Sequence, residues 1–295
     1  MLAPLARGDG GDGRLFVRAG GTLLSPHWLH AFSDPSVQVG PLQLALFGSV
    51  GRSPAALAIV LGVAAALLPV AAARALGVER PAVLAGLGLL TVAAGFTITG
   101  FDSGHPADSL LPLLWILAAA DARRGRVLRA GLVVGLSAGI ETWGILGVAV
   151  LALAPGRRGA ARGLALAVGV AAALFLPFAA AGDFAMGSYR WAIAPGSPLG
   201  LVLSAGTAFG WPLRLAQGGV ALAAGLAAAR LARRTPHALW LVPFVVVGVR
   251  LLLDPLGSDY YYAGLEGPAL CAGALLAARG LPLRARAGAP SPAAG

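Results

Sequence analysis

The chain is 295 residues long, 58% hydrophobic and only 12% charged, a balance that excludes an ordinary soluble domain, which carries about 25% charged residues. Its net charge of +10 rests on arginine alone, because the sequence contains no lysine; with the high Ala, Gly and Pro content this points to a high-GC bacterial genome. The arginines lie in short links between apolar runs rather than among interleaved aromatics, which suits membrane orientation and anionic headgroups and excludes a nucleic-acid module.

In chain order, the opening Met1 to Asp12 is Gly-rich and carries Arg7, Asp9 and Asp12. Residues 14–38 mix apolar anchors (Leu15, Phe16, Leu23, Leu24, Trp28, Leu29, Phe32) with Arg, His, Asp and Gly, the pattern of a segment lying along the membrane interface. The run 41–50 is too short to span. Runs at 55–73, 81–99, 164–181, 213–231, 238–253 and 263–278 have the length and apolarity of membrane helices, and a shorter one covers 110–120. The sequence thus predicts an all-α polytopic membrane protein with about seven to nine membrane helices. It divides into an interfacial segment at 1–40, membrane helices at 41–278 and a disordered, Arg/Pro/Ala-rich tail at 279–295.

Arginine placement sets the orientation. With the links at 74–80, 121–129, 157–162, 230–237 and 279–286 in the cytoplasm, nearly every interspan arginine is inside, and most acids, among them Asp9, Asp12, Asp102, Asp108, Asp183 and Asp254, fall on the other side. The acids are also what remains once arginines go inside. If 121–129 and 157–162 share one side, the run between them must turn back within the membrane. Glu141 marks that turn, since a lipid-facing carboxylate at mid-membrane costs about 2.5–3.5 kcal/mol on insertion scales and so belongs beside protein or a watery cavity. A broken or re-entrant pair over 131–155 follows.

The loop Gly100 to Asp108 (GFDSGHPAD) is a polar, ionisable island between two apolar runs. It reads either as a solvated turn punctuated by Gly and Pro or as part of a site. Cys271 is the only cysteine, which rules out an intrachain disulfide and fits a packing role. His27 and His30 have helical metal-ligand spacing but no evident third ligand, so no metal site is assigned.

Three passages carry a resemblance: Gly11-Asp12-Gly13-Arg14-Leu15-Phe16 followed by Gln38-Val39-Gly40-Pro41-Leu42; Gly104-His105-Pro106 with Asp108 opening the next helix; and the broken pair within 129–155, with Trp143 near its turn. Together they resemble bacterial polyprenyl-phosphate-mannose-dependent alpha-1,2-mannosyltransferases, membrane glycosyltransferases of the type C fold. The likeness implies a multi-pass plasma-membrane enzyme that moves a sugar, mannose first among the candidates, from a polyprenyl phosphate to an acceptor hydroxyl of a glycolipid or glycan on the outer face. It implies no cofactor. Relatives carry a span before the acidic loop, whereas this sequence opens on the loop, so the resemblance implies an upstream span or an inactive member. They also carry a basic residue where Glu141 stands.

On that resemblance Asp12 is the catalytic base, with Asp9, Asp102 and Asp108 as rivals, and Arg14, Gln38, Asp102, His105, Asp108, Arg190 and Arg214 contact substrate. Outward-side arginines (Arg14, Arg18, Arg190, Arg214, Arg250) are few and unexplained by the positive-inside tendency, which suits them to a donor phosphate. Arg250 reads equally well as an i,i+4 ion pair with Asp254. Trp191 and Tyr260 to Tyr262 suit sugar stacking or an interfacial aromatic belt. A transporter or flippase of a lipid-linked precursor is the other reading; it calls for repeated halves or paired broken helices, and one broken pair is visible.

Overall fold

The computed structural model describes residues 11–93, 104–180, 183–257 and 259–280; Asp9, Asp102 and the expected tail beyond 280 lie outside them. The chain opens with an amphipathic helix α1 (Gly11–Leu23) and a 3-10 turn at Trp28–His30, then α2 (Pro41–Val50) and α3 (Pro54–Ala75). Two prolines start α2 and α3 at the position where their missing N–H costs nothing, and the Ser53 hydroxyl caps α3 by accepting from Ala56 N at 3.3 Å. α1 and α2 pack as a hairpin. Phe16 and Phe47, both buried, meet edge to face at 5.9 Å, and Phe32, Val37 and Val39 complete this smaller core.

α4 (Pro81–Ala93) follows, then α5 (Ala107–Arg123), the hub of the bundle. Almost every α5 side chain is buried, from Ala107 and Asp108 at one end to Asp121 and Ala122 at the other. Around it stand α6 (Val127–Ile140), a 3-10 helix Thr142–Leu153, α9 (Ala238–Leu252) and α10 (Ala263–Gly280). Outside these lie α7 (Arg157–Ala180) and α8 (Trp211–Ala232). Between α7 and α8 the antiparallel ribbon β1 (Arg190–Ala192) and β2 (Ala208–Gly210) adds the only strands among the described residues to an otherwise helical fold. The packed faces are rich in alanine: Ala118, Ala119 and Ala122 on α5, Ala221 and Ala229 on α8. Small side chains let helix backbones approach closely, which drives association where the surroundings are as apolar as the side chains. Cys271 is buried in α10 against the Pro69 carbonyl, a packing role.

α3, α7 and α8 are long and apolar enough to cross a membrane, and α2, α4, α6, α9 and the 3-10 helix are apolar but shorter. The predicted reversal within 131–155 is present. α6 runs away from the arginine links, Glu141 takes an extended conformation (φ −141°, ψ 141°), and the chain returns alongside α6 as a 3-10 helix. The returning limb ends among the links. Arg123 Nη2 donates to the carbonyls of Arg233 and Thr235, each at 2.6 Å, and Arg233 Nη2 donates to Ala154 O at 2.7 Å. Asp121 pairs with Arg126 and Arg129 at the same end. The other end of the bundle therefore collects the start of α5, the Glu141 turn, the start of α8 and the end of α9.

Candidate functional site

At that second end lies a cavity of about 390 Å³. One wall begins in the first turn of α1, which carries Asp12, and continues through the loop before α5, which carries His105. Gly104 brings the two together: its φ of +87° suits only glycine, and a Cβ there would stand 2.8 Å from Gly13 N. Gln43 of α2 fixes the loop from below by donating from Nε2 to Gly104 O at 3.0 Å. The result is a hydrogen bond between His105 Nε2 and Asp12 Oδ2 at 3.0 Å, while His105 Nδ1 lies 3.8 Å from Glu141 Oε1. Phe16 sets its ring edge to face with the imidazole at 5.3 Å. One histidine thus stands between two carboxylates, half-exposed Asp12 and buried Glu141. The hydrogen bond from His105 holds the Asp12 carboxyl below its ordinary value of 3.8, against the opposing pull of partial burial.

The Glu141 turn is held from the other side by residues 38–40. Val39 and Glu141 form an antiparallel bridge, and Gly40 N donates to Ile140 O at 2.8 Å. The approach leaves no room for a side chain: a Cβ on Gly40 would stand 2.1 Å from Gly139 O. Gln38 follows into the cavity wall, its Nε2 donating to Met186 O at 3.0 Å. Glu141 Oε2 is buried and accepts no hydrogen bond among the described residues.

The facing wall is cationic. Arg214, in the first turn of α8, donates to Asp254 Oδ2 at 2.8 Å and to Gln217 Oε1 at 3.1 Å. Arg250, near the end of α9, lies 3.8 Å from both Asp254 Oδ2 and Asp108 Oδ1. The two guanidiniums share Asp254 as a common counter-ion, and each is covered by an indole, Trp191 over Arg214 at 4.2 Å and Trp143 over Arg250 at 4.4 Å. Arg250 Nη1 and Trp143 Nε1 are buried without a hydrogen-bond acceptor among the described residues, a costly state for donors. Along α8 the lining turns apolar through Leu215, Gly218, Gly219 and Leu222, and Leu215 and Gly219 are exposed. The cavity is therefore open along α8. It joins an anionic end, a cationic end and an apolar flank, which suits an amphipathic ligand with a charged head.

Of the residues expected to form a site, Asp12, Gln38, His105 and Arg214 line this cavity. Asp108 is buried behind it as a partner of Arg250. Arg14 is exposed on α1 and is not part of the lining. Arg190 is also outside it, its Nη1 donating to the carbonyls of Gly187, Ser188 and Tyr189. Asp102 lies outside the described residues. Arg250 makes the expected i,i+4 pair with Asp254 and also lines the cavity. Gln217 and Asp254, which lock the arginines together, were not singled out as site residues, and only the i,i+4 spacing of Arg250 and Asp254 hinted at them. Glu141, expected at the turn, proves to face the site. His30 pairs with Asp183 away from the cavity, and no cluster of metal-ligand geometry occurs among the described residues. No protein-family model, curated protein or solved structure matches this chain.

Proposed function

We propose that the chain is a multi-pass membrane glycosyltransferase that moves a sugar, mannose first among the candidates, from a polyprenyl phosphate to an acceptor hydroxyl at the outer face of a bacterial plasma membrane. The observation that carries this reading is the cavity itself, where a carboxylate paired with an imidazole faces two arginines and an apolar flank runs along α8. In the reading, seven to nine membrane segments are made up by the shorter helices and the re-entrant pair, with the arginine links inside. α6 has 14 residues and so is about 21 Å long, short of the ~30 Å hydrocarbon core. The Glu141 turn then lies below the outer boundary, at the depth where a lipid-linked phosphate would sit.

The chemistry follows from the lining. Asp12 removes the acceptor hydroxyl proton as that oxygen attacks the anomeric carbon. The bond from the anomeric carbon to the phosphate oxygen breaks, and the phosphate leaves with its electron pair and charge. Arg214 and Arg250 face that charge, and the unsatisfied Arg250 Nη1 and Trp143 Nε1 offer hydrogen bonds to it or to the sugar. His105 holds Asp12, and with Glu141 on its other side gives the acceptor polar contacts. Leu215 and Leu222 border the prenyl tail.

The test is turnover by purified protein in lipid nanodiscs, supplied with radiolabelled polyprenyl-phosphate mannose and a glycolipid acceptor. Labelled glycolipid should form, and Asp12→Asn should lower its formation by ~100-fold or more. Movement of the donor between leaflets without product would instead identify a flippase, and tight donor binding with neither would identify an inactive member.

A further inference from the structure

The connection from β1 to α8 is apolar throughout although most of it lies outside any helix. From Trp191 to Leu213 it contains no ionisable residue, although a segment of that length in water would ordinarily carry several. Its tip is a 3-10 turn at Leu199–Leu201, and it exposes three successive aliphatic side chains: Leu201 at 84%, Val202 at 81% and Leu203 at 41%. Surface aliphatics occurring singly need no explanation, but a contiguous exposed cluster marks contact with something apolar.

The base of the same segment is firmly built. Ile193 N donates to Thr207 O at 3.0 Å and Gly206 N to Ile193 O at 2.9 Å, closing the neck, while Ala194 N donates to Pro255 O at 2.8 Å and ties it to the loop after α9. Ser197 is fully buried and its hydroxyl both donates to Ala194 O and accepts from Gly200 N. The apolar tip is thus held out from a rigid neck rather than folded onto the bundle.

We propose that residues 199–203 insert into the hydrocarbon of the leaflet on the cavity side of the bundle. Three observations favour lipid over a protein partner. The segment passes directly into α8, which is long and apolar enough to cross a membrane, so its tip emerges beside a membrane boundary. At its neck Tyr189 and Trp191 stack edge to face at 4.9 Å and Trp191 meets Trp211 at 6.1 Å, an aromatic group of the kind that gathers at the hydrocarbon edge. The absence of any ionisable residue leaves nothing to give a protein interface electrostatic register, whereas hydrocarbon requires none. The insertion also has a geometric consequence, because the neck carries Trp191 against Arg214; the leaflet contact thereby holds one wall of the cavity. This inference does not depend on the catalytic reading.

The test is spin-label accessibility in the full chain reconstituted into nanodiscs, in a Cys271→Ala background. Labels are placed singly at Leu201→Cys and Val202→Cys, with Val220→Cys on α8, exposed and outside the cavity lining, as the lipid reference and Arg124→Cys as the aqueous reference. Insertion gives labels at 201 and 202 an oxygen-to-nickel-chelate collision ratio close to that at 220 and well above that at 124. A ratio like that at 124 would place the tip in water and overturn the proposal. Low collision with both reagents would mean that protein covers the tip, a second copy or another chain, and would overturn it equally.

Discussion

Asp12 owes its proton affinity to one neighbour. The His105 hydrogen bond and charge pull its carboxyl down, and partial burial pushes it up. A carboxyl held low in the folded state contributes stability above its ordinary value near 3.8 and loses that contribution as pH falls through the lower folded value. It is therefore ionised throughout the neutral range. Replacing His105 by Ala removes both lowering influences, so Asp12 should then titrate higher than in the wild type. An NMR titration of labelled aspartate checks this directly, and the acid limb of transfer activity should shift to higher pH with it; an unmoved titration would show that His105 does not govern the carboxylate. Asp12→Asn keeps the size of the side chain while removing its basicity, and transfer should fall by ~100-fold or more with donor binding retained. The arginines give a matched contrast. Arg214 faces the cavity while Arg190 is committed to the carbonyls of residues 187–189. Arg214→Lys loses a planar fork that a point charge does not replace, so donor affinity should weaken by about tenfold or more, the worth of one charge-assisted hydrogen bond. Arg190→Lys should leave it unchanged, and isothermal titration with the polyprenyl phosphate measures both. Equal effects from the two would remove Arg214 from the donor site.

Short segments assemble the Asp12 side of the site, and they do so by backbone contact. Residues 38–40 lie against the Glu141 turn closely enough that Gly40 is in contact with the backbone of Gly139. Gly40→Ala must part the two segments, an overpacking change that typically costs about 1–3 kcal/mol. A lowered thermal midpoint in detergent is the expected result, along with loss of the Gln38 contact to the cavity wall; an unchanged midpoint would mean that the contact yields freely. Passages singled out in the sequence meet here: Gly11 through Phe16 with Gln38 through Leu42, and Gly104 through Asp108, converge on the Glu141 turn of the run 129–155. That much was legible because each passage breaks an apolar pattern with Gly, Pro or an ionisable group. Other features left no such mark. The return limb at 142–153 is as apolar as an α-helix would be, and nothing in its composition announces a 3-10 helix, which is uncommon at that length. Pairing of β1 with β2 depends on residues far apart in sequence, and so does the Arg214–Asp254–Arg250 cluster. The direction Arg190 takes is set by carbonyls in its own turn, which periodicity does not reveal.

Among the described residues, two of the arginine links lie at one end of the bundle: 121–129 meets 230–237 through Arg123, and Arg233 reaches Ala154, just before the link at 157–162. Asp12, His105, Glu141, Arg214 and Arg250 gather at the cavity. Span number was less legible, because several apolar helices are shorter than a bilayer is thick and composition alone does not say whether a short helix crosses, stops or turns back. The packing of the 3-10 helix beside α6 makes a definite claim about this. Since both limbs start or end among the same arginine links, single cysteines replacing Arg124, Arg158 and Arg234, all exposed, should react with a membrane-impermeant maleimide from one face of sealed vesicles only. A cysteine replacing Arg190, exposed near the cavity end, should react from the other. The positive-inside tendency assigns the first group to the cytoplasm, so in right-side-out vesicles only the cysteine at 190 should label until the membrane is opened. Labelling of 124 and 158 from opposite faces would mean that the run between them crosses the bilayer, and the reversal at Glu141, together with the cavity built on it, could not be the arrangement present in the membrane.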